Sequence, residues 1–355
     1  MTVSEKRNTL FVGIDVHKDT HTAVGVSPFG EKVFEIKIGN YVKDFESLSR
    51  KVSEMKGTLS PYFGLEDVHG YGERLAEYLC NDGQKVFQVS SILVDRQRQN
   101  NTHPEKSDSL DAYGVAEVMI KKIDTLPIYT ITEESEKAKQ IKDVSHDREY
   151  LAHERTRLKN NLHNILHKIW NTEYREKFNN PFSKRALAYW LKTKVSCDPF
   201  TLRTMKRKVK RLISVMEEIQ ELEKDLKELL EGYTVTTASG CGTVVAGVII
   251  GEIGDIARFD SPASLAKYAG CAPRECSSGR RNHHIKTKSG NRRLNCAFHY
   301  MALSQISRSG NDKAKMYFKR KVSEGKSKSQ ALVCLRRQIV NIIWNMMKRN
   351  EIYHP

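Results

Sequence analysis

Three apolar runs open the chain, separated by turns too short for a crossover, and no other feature constrains the fold as strongly. LFVGIDVH at 10–17, HTAVGVSP at 21–28 and KVFEIKI at 32–38 are strand-like, the third with period-2 alternation. Asp19-Thr20 and Pro28-Phe29-Gly30 stand between them. Connections this brief join antiparallel neighbours, whereas parallel strands need a dozen residues or more. A helix is predicted next at 43–55, with Phe45, Leu48, Val52 and Met55 at helical spacing, then a fourth strand at 62–68. A short helix stopped by Gly83, a fifth strand at 85–91, a polar loop at 96–107 and a helix from Ser107 to Lys122 complete this part. A doubly wound nucleotide-binding fold would start strand–helix–strand with a glycine loop, and neither GxGxxG nor GxxxxGK[ST] occurs.

The order of a meander followed by crossover helices is that of an α/β RNase H-like domain, expected over 1–130. Residues 133–170 read as one long charged helix, with Val144, Leu151, Leu158 and Ile165 at heptad spacing, Ile141, Leu162 and Ile169 as companions, and Arg148 and Arg155 interrupting. A second run, Met205 to Leu230, is broken by Glu223. With an irregular loop at 171–200 between them, the two runs predict either an antiparallel coiled-coil hairpin, a dimerising arm, or an ordinary bundle over 131–232. Beyond this, 233–355 reads as mostly α, with two helices at 243–253 and 261–268 joined by glycine turns in a helix-hairpin-helix-like element. A polar basic loop at 274–293 and two closing helices, 294–308 and 327–348, follow.

Charge narrows the partners. The net charge is +16, from 59 Lys and Arg against 43 Asp and Glu. Residues 1–126 hold 16 Lys and Arg and 19 acids, whereas 270–350 hold 19 Lys and Arg and 3 acids. A basic block of this density on a folded segment points to nucleic acid. Arg274, Arg280, Arg281, Lys286, Lys288, Arg292 and Arg293 are the expected contacts. No run approaches a membrane span and no secretory leader is evident. The 7 scattered cysteines argue for reduced thiols in a cytoplasm and against a disulfide framework. Cys271, Cys276, His283, His284, Cys296 and His299 match no standard zinc spacing, so no structural zinc is expected, and Cys271, Cys296 and Cys334 read as small core residues.

Four acids stand out by placement. Asp15 ends the first strand, Glu66 ends the fourth, and Asp108 and Asp111 share one helix face at i, i+3 spacing. In this fold the first and fourth strands are neighbours, so their ends can meet that helix. Converging carboxylates repel unless cations lie between them, and such oxygen donors suit magnesium or manganese, one or two ions, for phosphodiester chemistry. Asp19, Asp67 and Asp95 read as solvated residues, and His17 and His69 flank the site, with contact to substrate as the lesser alternative.

The strings FVGIDVHKDTHTAVGV, FGLEDVHGYGERLAEYL and HPEKSDSLDAYGVAEV resemble the DEDD transposases of the IS-one-ten insertion-sequence family, which includes the Piv-type DNA invertases and has an N-terminal domain similar to the RuvC resolvase. GEIGDIARFDSPASLAKYAGCAP and KTKSGNRRLNCAFHYMALS extend the resemblance to the C-terminal half. The resemblance maps the family's four acids onto Asp15, Glu66, Asp108 and Asp111, and implies a serine nucleophile in the Cys276-Ser277-Ser278-Gly279 element. Ser278 is the expected nucleophile, with Ser277 as the reserve. It further implies a DNA transposase or recombinase, a bridge-type non-coding RNA that pairs with donor and target DNA, and a homodimer or homotetramer. A Piv-like invertase would act without the guide. A RuvC-like nuclease or resolvase would use the acids alone. Two departures are visible: Ala238-Ser239-Gly240-Cys241-Gly242 replaces the family's proline-glycine turn, and Gly279-Arg280 replaces its double glycine.

Overall fold

Alternation along the first strand divides the N-terminal part of the molecule into two cores. In the computed structural model, which describes residues 1–68, 70–99, 107–278, 281–285 and 290–354 (274–278 and 281–285 by backbone alone), a short capped helix α1 (Val3–Arg7) precedes β1 (Thr9–Val16), β2 (Thr20–Val26) and β3 (Lys32–Gly39). Leu10, Val12 and Ile14 of β1 face one core, with Phe45 and Leu48 of α2 (Val42–Met55). Phe11 faces the other. The chain continues through β4 (Ser60–Leu65), α3 (Glu73–Asn81), β5 (Lys85–Gln88), α4 (Ser91–Arg98), α5 (Asp108–Lys122) and β6 (Ile128–Tyr129). Strand order is β3-β2-β1-β4-β5-β6, with β1 parallel to β4 and β4 parallel to β5. The expected meander and the expected β1–β4 adjacency are both present. Three elements are additions, α1 among them. α4 occupies part of the stretch read as polar loop, and β6 is an edge strand of 2 residues, too short for any periodicity to mark.

The chain divides into two compact units, Met1–Glu133 and Glu134–Pro355. The second is dominated by α6 (Glu133–Trp170), 38 residues and ~57 Å long. After α7 (Glu173–Lys177) and α8 (Lys184–Lys192) the chain returns along α9 (Pro199–Leu229). Arg148 Nη2 lies 2.6 Å from Glu223 Oε1, and Arg211 Nε lies 2.8 Å from Glu154 Oε1, so α6 and α9 run antiparallel within one chain. Arg148 and Glu223, each an interruption of its own heptad run, are thus each other's partners.

Two sequence expectations need correction here. The segment 171–200 is not an irregular loop: α7 and α8 place Tyr174, Phe182 and Trp190 in a core with Leu162, Leu166, Met205, Val209 and Leu212. Nor is the seam continuous along α6, although α9 buries Val215 and Ile219 in its middle. Val144, Leu151, Leu158 and Ile165 are half-buried, while Ile141, Leu162 and Leu166 are the deepest, because the hairpin wraps a separate core at each end.

At the other end, Ile141, Leu226 and Leu230 join the C-terminal helices: α10 (Thr243–Ile253), α11 (Pro262–Tyr268), α12 (Arg292–Ile306), α13 (Asp312–Ser323) and α14 (Lys328–Arg349). The helices at 243–253 and 261–268 fall where expected. The basic loop is corrected to a hairpin, β7 (Arg274–Ser278) antiparallel to β8 (Arg281–Ile285). α13 is a further correction: its polar sequence buries Ala314 and packs Tyr317 on the core, which leaves little apolar pattern to read. Among the described residues no helix is long and apolar enough to cross a membrane.

Candidate active site

Two glycines decide how closely α5 approaches the sheet. Gly13 of β1 and Gly64 of β4 are register partners. A Cβ on Gly13 would lie 2.1 Å from the Ala112 carbonyl oxygen and 2.5 Å from the Ala116 nitrogen, and one on Gly64 would lie 2.3 Å from Met119 Sδ. The helix therefore rests on bare backbone. Two residues further along each strand stands an acid: Asp15 within β1, and Glu66 just past β4. Ser107 caps α5, its hydroxyl accepting from the Leu110 N–H at 3.2 Å, and this sets Asp108 and Asp111 in the first turn. Carboxylates are favoured there by the helix N-terminus. The Ser109 hydroxyl donates to Glu35 Oε2 at 2.7 Å, and the Tyr113 hydroxyl donates to the Gly30 carbonyl at 2.8 Å, pinning the same turns to β3 and the β2–β3 turn.

The acids gather around basic partners. His17 Nε2 lies 3.3 Å from Asp15 Oδ2 and 3.3 Å from Asp108 Oδ1. Lys37 Nζ donates to Asp108 Oδ2 at 3.0 Å, and this bond, with the one from His17, holds the Asp108 carboxyl below its ordinary range. Thr22 is the cross-strand partner of both Asp15 and Lys37, so the three residues form one row across β1, β2 and β3. Arg98 Nη1 donates to Asp111 Oδ1 at 3.1 Å and Nη2 to Asp95 Oδ1 at 2.5 Å. Asp95, read from the sequence as a bystander, thus holds the guanidinium that meets Asp111. Burial pushes the Glu66 carboxyl up, and the charges of Asp15 and Asp111 push the same way against a hydrogen bond from Ser91 and the charge of Arg98.

Asp15, His17 and Asp108 each bring one donor atom within 4.8 Å of the others. The carboxylate oxygens suit magnesium or manganese, and the imidazole is a softer donor that magnesium does not favour, so of the two the full set suits manganese better. Sequence reasoning placed His17 beside the site. Its signal was the Asp-x-His spacing, which puts both side chains on one face of an extended strand. Lys37 and Arg98 carried no such signal, and His69 lies outside the described residues.

Ser277 and Ser278 are in β7, opposite Asn282 and Arg281, and not in a loop. Arg274 pairs with Ile285 in the same ladder. Gly279, Arg280, Lys286 and Lys288 lie outside the described residues. Both ends of the segment are clamped at its root: the Asn291 N–H donates to the Tyr268 carbonyl at 2.7 Å, and Asn295 Nδ2 donates to the carbonyls of Ala269 at 3.0 Å and Gly270 at 2.8 Å. Arg292 is exposed at the start of α12, while Arg293 is engaged by Glu149 Oε2 at 2.5 Å. Cys296 is exposed and not a core residue, because it lies on the outer face of α12; Cys271 is buried, and burial pushes its thiol up to about 11.

Residues 12–171 match the family model for the DEDD transposases of IS110, and residues 233–319 match the model described as transposase IS116/IS110/IS902 family. The chain belongs to the IS110 family of transposases. It is 25% identical to the 44.8 kDa protein of insertion element IS116 from Streptomyces clavuligerus, over 99% of this chain and 98% of that one. It is 21% identical to the transposase of IS1111A from Coxiella burnetii, over 96% and 90%. It is 22% identical to the pilin gene-inverting protein of Moraxella lacunata, over 96% of each chain.

In this IS110 transposase one buried acid, Glu252 of α10, ties the root of the serine hairpin to α6. Gly251 lets the two helices close, since a Cβ there would lie 2.7 Å from Lys142 Cα. Glu252 Oε1 then meets His146 Nε2 at 2.6 Å, and Oε2 accepts from Asn291 Nδ2 at 2.6 Å. Burial alone would raise the Glu252 carboxyl, but the hydrogen bonds from His146 and Asn291 outweigh it and the net shift is downward from 4.5. A depressed acid contributes stability that is full above its unfolded pKa and is lost as pH falls through the folded one. Glu252→Gln is therefore expected to destabilise the protein by about 2 kcal/mol near neutrality. Its melting temperature should converge with that of wild type as pH falls from about 6 to about 3. An equal gap at both ends of the range would show that the charge of Glu252 is not what holds the joint.

Proposed function

We propose that this chain cuts and rejoins DNA strands through a divalent-metal site at Asp15, Glu66, Asp108 and Asp111, with Ser278 as nucleophile and Ser277 in reserve. In this reading residues 1–130 carry the RuvC-like DEDD site, 131–232 serve dimerisation and 233–355 carry the serine. A bridge-type RNA selects donor and target DNA, and the working form is a homodimer or homotetramer. The observation that carries the reading is the convergence of two strand-borne acids with the first turn of α5 over Gly13 and Gly64. Asp15 and Asp108 share one donor cluster, and Glu66 feels the charges of Asp15 and Asp111; like charges so placed favour bound cations. A magnesium or manganese ion there supplies a Lewis acid to the reacting phosphodiester. Lys37 and Arg98 orient Asp108 and Asp111 and balance their charge. The serine hydroxyl loses its proton and attacks phosphorus, and the departing strand-end oxygen gains one. The phosphodiester energy is kept in the Ser–O–P bond, so rejoining needs no further energy source. Relatives named pilin gene-inverting proteins support rejoining over cleavage alone.

The test incubates the protein, with RNA transcribed from its own flanking sequence, with end-labelled donor and target DNA. Adducts that survive denaturation are scored. Wild type should form one, and Ser278→Ala and Asp15→Ala should not. Loss in Ser277→Ala alone would move the nucleophile by one residue. Cleavage with no adduct in wild type would refute the serine step and leave a RuvC-like nuclease. Adducts formed equally well without RNA would favour a Piv-like invertase.

A further inference from the structure

A second basic surface lies at the α7–α8 end of the α6–α9 hairpin. Residues 155–211 hold 16 Lys and Arg against 3 Asp and Glu, a surplus of 13. The next segment has the opposite balance: residues 212–231 hold 7 acids against 2 lysines. Among the described residues, only Arg211 of the 16 meets a carboxylate, in its pairs with Glu154 and Glu218. The charge is therefore not spent on internal ion pairs.

Only four of the 16, Lys168, Arg175, Lys177 and Lys192, sit in last helical turns where the dipole favours a cation. Lys184 and Arg185 open α8, and neither α8 nor α9 has an acid in its first turn. The basic half of α9 is its N-terminal half and the acidic half its C-terminal half, the reverse of what the helix dipole favours. Charge arranged against local stability, on a segment with a core of its own around Trp190, calls for an external anion. Arg203, Lys206, Arg207 and Lys210 recur at i, i+3, i+4 and i+7 on one face, opposite the buried Met205, Val209 and Leu212. They span ~10.5 Å of helix, against a duplex that presents one phosphate charge per ~1.7 Å of its axis.

We propose that this end of the hairpin grips the phosphate backbone of duplex DNA, without reading its sequence, at a site separate from the serine hairpin. The inference rests on the chain being a DNA recombinase. Single-stranded RNA recognition relies on several stacking aromatics, and a membrane surface on apolar anchors. Here Phe200, 71% exposed beneath the Arg203 guanidinium at 4.5 Å, is the one exposed large apolar side chain in 155–211 among the described residues. An array of cations with so little apolar surface suits a continuous duplex backbone.

The test measures binding of the full chain to a duplex DNA of arbitrary sequence across a salt series. The variants are Arg203→Gln/Arg207→Gln/Lys210→Gln and the charge-preserving Arg203→Lys/Arg207→Lys. The neutral triple should bind roughly 10²-fold more weakly, and its plot of log K against log salt should be shallower by about 0.9 for each phosphate no longer neutralised. The lysine pair should bind as wild type does. Unchanged affinity and slope in the triple, with its melting temperature preserved, would overturn the proposal. So would a loss seen with duplex RNA and not with duplex DNA, or an equal loss in the lysine pair, which would mean the surface reads shape and not charge. Because the readout is binding, a failure here leaves the strand-exchange reading standing. A failure of the adduct assay likewise leaves this binding measurable.

Discussion

Asp15→Asn is expected to lower strand exchange by roughly 10³-fold, the scale of removing one preorganised electrostatic partner from a reacting centre, while leaving the fold intact or stabilised. Asp15 is 8% exposed on β1 and faces the first turn of α5. Glu66 lies within range of the Asp15 and Asp111 charges, and both raise its carboxyl. In metal-free protein, removing one of these charges relieves that repulsion. The asparagine variant should therefore melt at or above the wild-type temperature without divalent ions. Wild type should gain stability when magnesium or manganese is added, by linkage, and the variant should gain little. A thermal melt in the two buffers, beside the strand-exchange assay, checks both halves. A variant that melts lower than wild type without metal would mean that Asp15 serves packing, and a retained response to metal would remove it from the ligand set.

Gly13→Ala is expected to have the second largest effect. The added carbon would lie 2.1 Å from a backbone oxygen of α5, and a backbone cannot rotate aside as a side chain can. Overpacking of this kind costs about 3 kcal/mol, and a helix displaced by even ~1 Å would reduce strand exchange roughly 10²-fold. The control is Gly114→Ala on the same helix, where the nearest atom is a valine methyl at 3.2 Å. That change should keep activity and alter stability by less than about 1 kcal/mol. If Gly13→Ala behaves like Gly114→Ala, the close approach of α5 is not what positions the acids.

What could be read from sequence follows from the range over which each signal acts. The strands of the first unit were legible because β1, β2 and β4 are apolar runs bounded by turns, and the acids because they fall at strand ends and in one helix turn. β6, with 2 residues, and α13, which buries Ala314 alone, offer too little period to detect. The sequences of β7 and β8 are largely polar, so no apolar alternation marks them. Lys37 was invisible because it reaches Asp108 from two strands away from Asp15, a relation only the sheet register creates. The 155–211 basic block escaped for a different reason: charge was compared between residues 1–126 and 270–350, and this segment lies between those windows. The pairing of Arg148 with Glu223 shows the same limit, since each reads alone as a defect in its own helix.

The two cores of the hairpin have a mechanical consequence. One sits around Leu162, Trp190 and Met205 and the other around Ile141, Leu226 and Leu230. Along α6 no residue from 146 to 161 is fully buried, and the stretch is crossed by the ion pairs of Arg148 and Glu154. Seven residues inserted into both helices would shift one core from the other by ~10.5 Å and turn it by only ~20°. Neither core would need repacking. The hairpin is thus a spacer whose reach is an integer number of helical turns, and the interval it bridges can be lengthened or shortened by simple insertions or deletions, with no new interface invented.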